Sequence, residues 1–104
     1  MLNPKKLDKN FLSSIDFSKE EFIHILDLAT RIKSKEISID RQNKVLGLIF
    51  DKSSTRTRVS FQVAMSRLGG STIDLNPNTS QIGRGEPIKD TARVLSRYCD
   101  VLAI

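Results

Sequence analysis

The stretch VLGLIFDKSSTRTR, Val45–Arg58, contains the two features from which the fold of this chain can be inferred. Its first part, Val45–Phe50, is apolar throughout and flanked by polar residues, which is typical of a strand buried on both faces of a parallel sheet. Its last five residues, Ser54–Arg58, carry three hydroxyl groups and two guanidinium groups. Helical spacing begins among them, so we predict a strand, a polar loop and a helix that begins near Thr55.

Two helices are indicated by apolar spacing on either side of this strand. Ser18 and Glu21 form a capping box, which predicts a helix from about Lys19 to Lys33. A second helix runs from about Thr55 to Leu68, and Gly69-Gly70 ends it. The apolar positions expected to form the packed faces are Phe22, Leu26, Ala29 and Ile32 in the first helix and Phe61, Ala64, Met65 and Leu68 in the second.

The rest of the chain continues the alternation of strand and helix. Ser71–Leu75 is a second strand candidate, and Asn76–Glu86 has the Pro and Gly content of a long loop. Pro87 suits the first turn of a third helix, with apolar positions Ile88, Ala92, Leu95 and Cys99. Val101–Ile104 begins a third strand. This order predicts an α/β fold, a parallel sheet with flanking helices and right-handed crossovers.

Composition excludes several classes of protein. With 104 residues the chain is at most one small domain. No apolar run approaches the ~20 residues of a membrane span, and no signal peptide is visible, so we expect a cytoplasmic protein with no membrane contact. One cysteine, Cys99, cannot form an internal disulfide, and one histidine, His24, indicates no metal cluster. We expect Cys99 to be a small buried hydrophobe and His24 to lie at the surface or its boundary.

The net charge of +5 would suit either nucleic acid or a small anionic ligand. Most basic residues are scattered, and the glycine and aromatic pattern of an RNA-binding sheet is absent, so we do not expect nucleic acid as a partner. A small anion is favoured because its binding groups are concentrated at one point of the chain.

That point is Ser54–Arg58. Ligands of open parallel sheets bind beyond the carboxyl ends of strands. The N–H groups in the first turn of a helix attract anions, hydroxyl groups donate to phosphate oxygens, and Arg56 can offer a rigid two-pronged donor. The alternative is that Ser54 or Thr55 is simply an N-cap, which explains one hydroxyl group but not three with two arginines. The segment lacks both the glycine-rich spacing and the Gly-Lys-Ser/Thr sequence of a P-loop. An anion site of another kind is therefore predicted.

At this point the residues resemble a known family. Phe50–Phe61, FDKSSTRTRVSF, resembles the carbamoyl-phosphate signature of the aspartate/ornithine carbamoyltransferase family. Ser80–Pro87, SQIGRGEP, and Lys89–Tyr98, KDTARVLSRY, resemble its ornithine branch. Lys52 favours the same branch, because the aspartate enzymes typically carry glutamate there. The resemblance extends from the Ser18 helix to the last residue.

The resemblance implies a role for individual residues. Ser54, Thr55, Arg56 and Thr57 match the positions that bind carbamoyl phosphate, and Arg56 and Thr57 would also face its carbonyl oxygen as the catalytic pair. Gln81 matches a loop residue that reaches carbamoyl phosphate bound to a neighbouring subunit. Arg58 is interpreted as a structural residue that points away from the ligand and forms an ion pair.

The resemblance also implies an activity. The ornithine branch transfers the carbamoyl group of carbamoyl phosphate to the δ-amine of L-ornithine, which gives citrulline and phosphate in arginine biosynthesis. It needs no metal or organic cofactor, and it works as a homotrimer or a multiple of one. The alternatives are another amine acceptor, such as aspartate or putrescine, a non-catalytic anion-binding fragment, and a non-functional truncated product.

Residues 1–104 are expected to be the N-terminal part of the carbamoyl-phosphate-binding domain, with the amino-acid-binding domain absent. The family has an arginine after the third strand, then a His-Pro segment and a cysteine-containing loop, and this chain ends before all three. Cys99 is therefore not assigned the role of that loop cysteine, and the fragment is expected to be inactive alone.

Overall fold

The structure, a computed structural model, describes residues 10–50, 53–75 and 88–104. The chain divides into two compact units, one up to Ile39 and one from Asp40 onward. The first unit contains a 3₁₀ turn, Ser14–Asp16, and helix α1, Lys19–Lys33. The second contains β1 (Val45–Ile49), α2 (Thr55–Arg67), β2 (Ser71–Leu75), α3 (Ile88–Tyr98) and β3 (Val101–Ala103).

The predicted capping box fixes the start of α1. The Glu21 N–H donates to Ser18 Oγ at 3.1 Å, and the Ser18 N–H donates to Glu21 Oε1 at 2.9 Å. Three aromatic rings pack beside this end of the helix: the ring centroids of Phe11 and Phe17 are 4.6 Å apart, and those of Phe17 and Phe22 are 5.7 Å apart. The predicted bounds of α1 are confirmed.

The predicted packed face of α1 is only partly right. Phe22 and Ile32 are half-buried, but Leu26 and Ala29 are exposed, and Ile25 is half-buried in their place. Apolar residues occur on more than one side of this helix, so their spacing alone does not select the side that packs.

Charged and polar groups of α1 are also partly covered. Asp27 accepts a hydrogen bond from Arg31, which raises the pKa of that guanidinium, although partial burial opposes the shift. His24 is half-buried, as expected for a boundary residue, and within the described part of the chain its Nε2 has no hydrogen-bond partner.

The three strands form one parallel sheet, as the fold prediction requires. Their order in the sheet is β2-β1-β3. The central strand carries the core of the second unit, since Leu46 and Leu48 are both buried. Gly47 lies opposite Leu102 in the register, and a Cβ there would come within 2.7 Å of Leu102 Cδ2 and 3.0 Å of Cys99 Sγ. Glycine is therefore required for this close approach, and Cys99 is a half-buried packing residue.

Helix α2 begins at Thr55 and ends at Arg67, one residue before the predicted end. Gly69 has a φ of +86°, in the left-handed region, and the Gly70 N–H donates to the Met65 carbonyl at 3.0 Å. These two glycines end the helix as predicted, and the chain turns directly into β2.

The packed faces of α2 and α3 also differ from their predictions. In α2, Met65 and Leu68 are half-buried, but Phe61 and Ala64 are exposed, and Arg58 lies on the covered side instead. In α3 the predicted Ala92 is exposed. Polar residues with a hydrogen-bonding role can occupy covered positions, which a reading of apolar residues alone does not detect.

Candidate anion-binding site

The topology places the end of β1 where a ligand site is expected. The chain passes from β1 to β2 on one side and then crosses to β3 on the other side of β1, so the winding direction reverses at the central strand. In open parallel sheets, ligands bind at such a reversal, beyond the carboxyl ends of the strands. Ser54 and the first turn of α2 follow the carboxyl end of β1 within a few residues of the sequence.

The N-terminus of α2 has the properties of an anion site. Ser54 is the N-cap residue, yet its hydroxyl makes no capping hydrogen bond. The first turn contains no acidic residue. The N–H groups of a first helical turn have no acceptor within their own helix and carry partial positive charge. Capping therefore does not account for the Ser54 hydroxyl, and the first turn of α2 itself contributes no carboxylate.

The predicted binding residues differ in exposure. Thr55, Arg56 and Thr57 are exposed, whereas Ser54 is half-buried. Within the described ranges, the guanidinium of Arg56 forms no ion pair with an acidic side chain. The structure thus places the four predicted binding residues, Ser54–Thr57, at one helix end as a candidate phosphate cradle, with Arg56 exposed to solvent.

Arg58 is arranged differently, as the sequence interpretation proposed. Its Nε donates to Asp74 Oδ1 at 3.1 Å, and its Nη2 donates to the Phe50 carbonyl at 2.8 Å. Its side chain is 15% exposed. The second guanidinium of the motif is therefore directed to the strand ends and is neutralised by a carboxylate.

Asp74 is the participating residue that sequence reasoning missed. It lies on β2 in the segment STIDL, where it is the only acidic residue. An acidic residue near the end of a strand, together with an arginine in the preceding helix, was the signal that could have identified this pair. Lys52 and Gln81, both named from the sequence, lie outside the described residues.

In the ranges that the structure describes, no three His, Cys, Asp or Glu side chains lie close enough together to hold a metal ion. The same ranges contain no helix long and apolar enough to cross a bilayer.

Comparison with known proteins gives a consistent result. Residues 9–104 match the family described as aspartate/ornithine carbamoyltransferase, carbamoyl-P binding domain. The chain is similar to the ornithine carbamoyltransferase of Prochlorococcus marinus strain MIT 9312, at 77% identity over 100% of this chain and 34% of that protein. The chain thus spans about a third of the length of the curated relatives it matches.

Solved structures include proteins of both branches. The anabolic ornithine carbamoyltransferase of Campylobacter jejuni superimposes with a TM-score of 0.81 at 46% identity, over 90% of this chain and 31% of that one. The aspartate transcarbamoylase of Trypanosoma cruzi, solved with carbamoyl aspartate and phosphate, gives a TM-score of 0.76 at 33% identity, over 98% of this chain and 36% of that one. The predicted fold is confirmed, and both branches share it.

Proposed function

This chain belongs to the aspartate/ornithine carbamoyltransferase family, and from that membership we propose that it forms the N-terminal part of the carbamoyl-phosphate-binding domain of an ornithine carbamoyltransferase. The complete protein transfers the carbamoyl group of carbamoyl phosphate to the δ-amine of L-ornithine. The products are citrulline and phosphate, and the step belongs to arginine biosynthesis. The relatives named ornithine carbamoyltransferase support ornithine as the acceptor.

One observation carries the proposal: α2 begins where the winding direction of the sheet reverses, and at this helix end the N-cap Ser54 makes no side-chain capping hydrogen bond and Arg56 is exposed. A phosphate placed there is held by backbone N–H groups, by the hydroxyls of Ser54, Thr55 and Thr57, and by the guanidinium of Arg56. Each of these groups donates, which matches a ligand whose oxygens only accept.

The chemistry needs charge stabilisation more than acid–base groups. The neutral δ-amine attacks the carbamoyl carbon, the bond from that carbon to the phosphate oxygen breaks, and phosphate leaves with the electron pair while the amine loses a proton. Negative charge grows on the carbonyl oxygen and then on the phosphate. In this proposal Arg56 and Thr57 donate to both, and loss of one such donor typically costs about 10²–10³ in rate. Holding both substrates in place contributes a further large factor.

Replacement of Arg56 tests the catalytic proposal. In the full-length protein, Arg56→Ala should lower kcat by about 10²–10³, because the developing charge loses its rigid donor. Thermal unfolding should be unchanged, since the Arg56 side chain is exposed. Arg67→Ala is the matched control, because Arg67 is an exposed arginine in the last turn of the same helix.

Turnover assays with ornithine, aspartate and putrescine as acceptors distinguish the alternatives. If citrulline is the only product, ornithine is supported as the acceptor. A product from aspartate or putrescine would reassign the acceptor. Near wild-type turnover in Arg56→Ala would contradict the role of Arg56. Phosphate binding with no product from any amine would favour a non-catalytic anion-binding protein.

A further inference from the structure

The side chain of Arg58 connects three elements around the candidate site. Arg58 is the fourth residue of α2, its Nη2 reaches the Phe50 carbonyl just after β1, and its Nε reaches Asp74 on β2. The guanidinium is planar and rigid, so two simultaneous hydrogen bonds fix both the distance and the angle between the groups it joins. Most of the side chain is covered, which limits competition from water.

These contacts determine where the cradle residues lie. Arg58 donates to the Phe50 carbonyl through its side chain and to the Ser54 carbonyl, at 2.9 Å, through its own N–H. The Phe50 and Phe61 rings add a second connection between the end of β1 and α2, with centroids 5.9 Å apart. The first turn of α2 is therefore tied to the end of β1 through one side chain and one ring pair.

The positive charge of Arg58 is balanced by an acidic side chain of the protein itself. Asp74 lies 3.1 Å from Nε, so the pair contributes little net positive charge to the helix end. Arg56 has no such partner in the described part of the chain. The two arginines of the motif thus have different surroundings: Arg56 is exposed to solvent, and Arg58 faces the sheet.

We propose that Arg58, with Asp74, is a positioning residue for the phosphate cradle: it sets the placement of the first turn of α2 over the ends of β1 and β2 without contacting the ligand. The inference rests on the proposed function, because the cradle is assigned to carbamoyl phosphate there. It goes beyond a structural ion pair, since it requires an effect on ligand affinity in the folded protein.

The test uses the full-length protein with inorganic phosphate as the probe, measured by calorimetry. Arg58→Lys keeps the charge but cannot reproduce the two-pronged contact. The phosphate Kd should rise about ten-fold, and kcat/KM for carbamoyl phosphate should fall about 10- to 100-fold, because small misplacements of binding groups are costly. The KM for the amine should stay unchanged. Asp74→Asn keeps an acceptor for Nε, so kcat/KM for carbamoyl phosphate should fall less than in Arg58→Lys.

Arg31→Lys is the matched control. Arg31 also forms two side-chain contacts with acidic residues, to Asp27 and Glu36, but it lies on α1 in the other unit. Its replacement should alter the melting temperature at most and leave the phosphate Kd unchanged. All affinities are measured where circular dichroism shows each variant to be folded.

Two results would overturn the inference alone, provided that the wild type binds phosphate. The first is an Arg58→Lys variant that melts earlier but binds phosphate as tightly as the wild type, which indicates a purely structural role. The second is an Arg31→Lys variant that loses as much phosphate affinity as Arg58→Lys, which indicates a general effect of destabilisation and not a local effect on the cradle. A wild-type protein that binds neither phosphate nor carbamoyl phosphate would overturn the proposed function and this inference with it.

Discussion

At the residue scale, Arg56 and Arg58 have the same chemistry and opposite surroundings. Two residues that are two positions apart on an α-helix are related by a rotation of about 200° around the helix axis, so their side chains point to nearly opposite sides. When one faces the sheet, the other faces away from it. This geometry places Arg58 against Asp74 and leaves Arg56 exposed. The spacing of the two arginines therefore gives them opposite surroundings within a single helical turn, as the two proposed roles require.

Gly47 is the other residue whose environment allows a sharp prediction. In a strand with open space, Gly→Ala stabilises by roughly 0.5–1 kcal/mol. Here the new Cβ would meet Leu102 Cδ2 at 2.7 Å and Cys99 Sγ at 3.0 Å. Gly47→Ala should therefore destabilise by about 1–3 kcal/mol, as overpacked cores do. Urea unfolding of the full-length protein measures the change in the free energy of unfolding.

A double-mutant cycle provides the control for this prediction. Leu102→Ala removes the nearest atom, so the double variant should lose less stability than the sum of the two single variants. Strict additivity, or a stabilising effect of Gly47→Ala alone, would show that the contact with Leu102 does not limit this position.

At the element scale, the two helices that begin at serine N-caps differ in how the N–H groups of their first turns are capped. Helix α1 has a complete capping box from Ser18 and Glu21, with a further acidic residue in its first turn. Helix α2 has neither a capping hydrogen bond nor an acidic residue in its first turn. Caps and acidic side chains satisfy the donors of a helix end, so the residues of α1 stabilise their own helix end. We propose that an anion has this role at the start of α2.

The contrast predicts opposite effects of two equivalent substitutions. Ser18→Ala should cost about 1 kcal/mol of stability, because a capping hydrogen bond is lost, and should leave phosphate affinity unchanged. Ser54→Ala should change stability by less than about 0.5 kcal/mol and should weaken phosphate binding. Urea unfolding and phosphate calorimetry on both variants of the full-length protein give the comparison. A loss of stability in Ser54→Ala equal to that in Ser18→Ala would show that Ser54 serves as a cap.

At the scale of the whole molecule, the chain supplies the cradle and a third of the length of its relatives. We propose that the complete protein is a homotrimer in which Gln81, which precedes α3 in the sequence, completes the site of a neighbouring subunit. The acceptor site belongs, in the same proposal, to a second, amino-acid-binding domain of the complete protein.

Subunit mixing tests this arrangement. Arg56→Ala and Gln81→Ala chains should each be inactive as pure trimers. In trimers assembled at random from equal amounts, about one quarter of the sites would pair an intact Arg56 with an intact Gln81 from the next subunit, as a head-to-tail ring requires. Activity should recover to about that fraction. Trimers that are shown to be mixed but are inactive would place Gln81 in the site of its own subunit. The control is the same mixing procedure applied to Arg56→Ala chains only.

Prediction from the sequence was most successful where the signal is local. The bounds of α1 follow from a capping box, and the end of α2 follows from Gly69 and Gly70, which act through backbone geometry within a few residues. Packed faces were predicted less well. Leu26 and Ala29 are exposed, and Arg58 occupies a covered position, because the side of a helix that packs depends on neighbours distant in the chain.

By itself, then, the sequence determined the alternation of strands and helices, the parallel α/β class and the cluster of donors at Ser54–Thr57, because capping, periodicity and composition are properties of short segments. Only the tertiary structure decided the strand order β2-β1-β3 and the pairing of Arg58 with Asp74, which are 16 residues apart. Strand order and ion pairing depend on which segments meet in space, and no local pattern specifies that meeting. The same contacts decided that Arg56, and not Arg58, remains exposed for an anion.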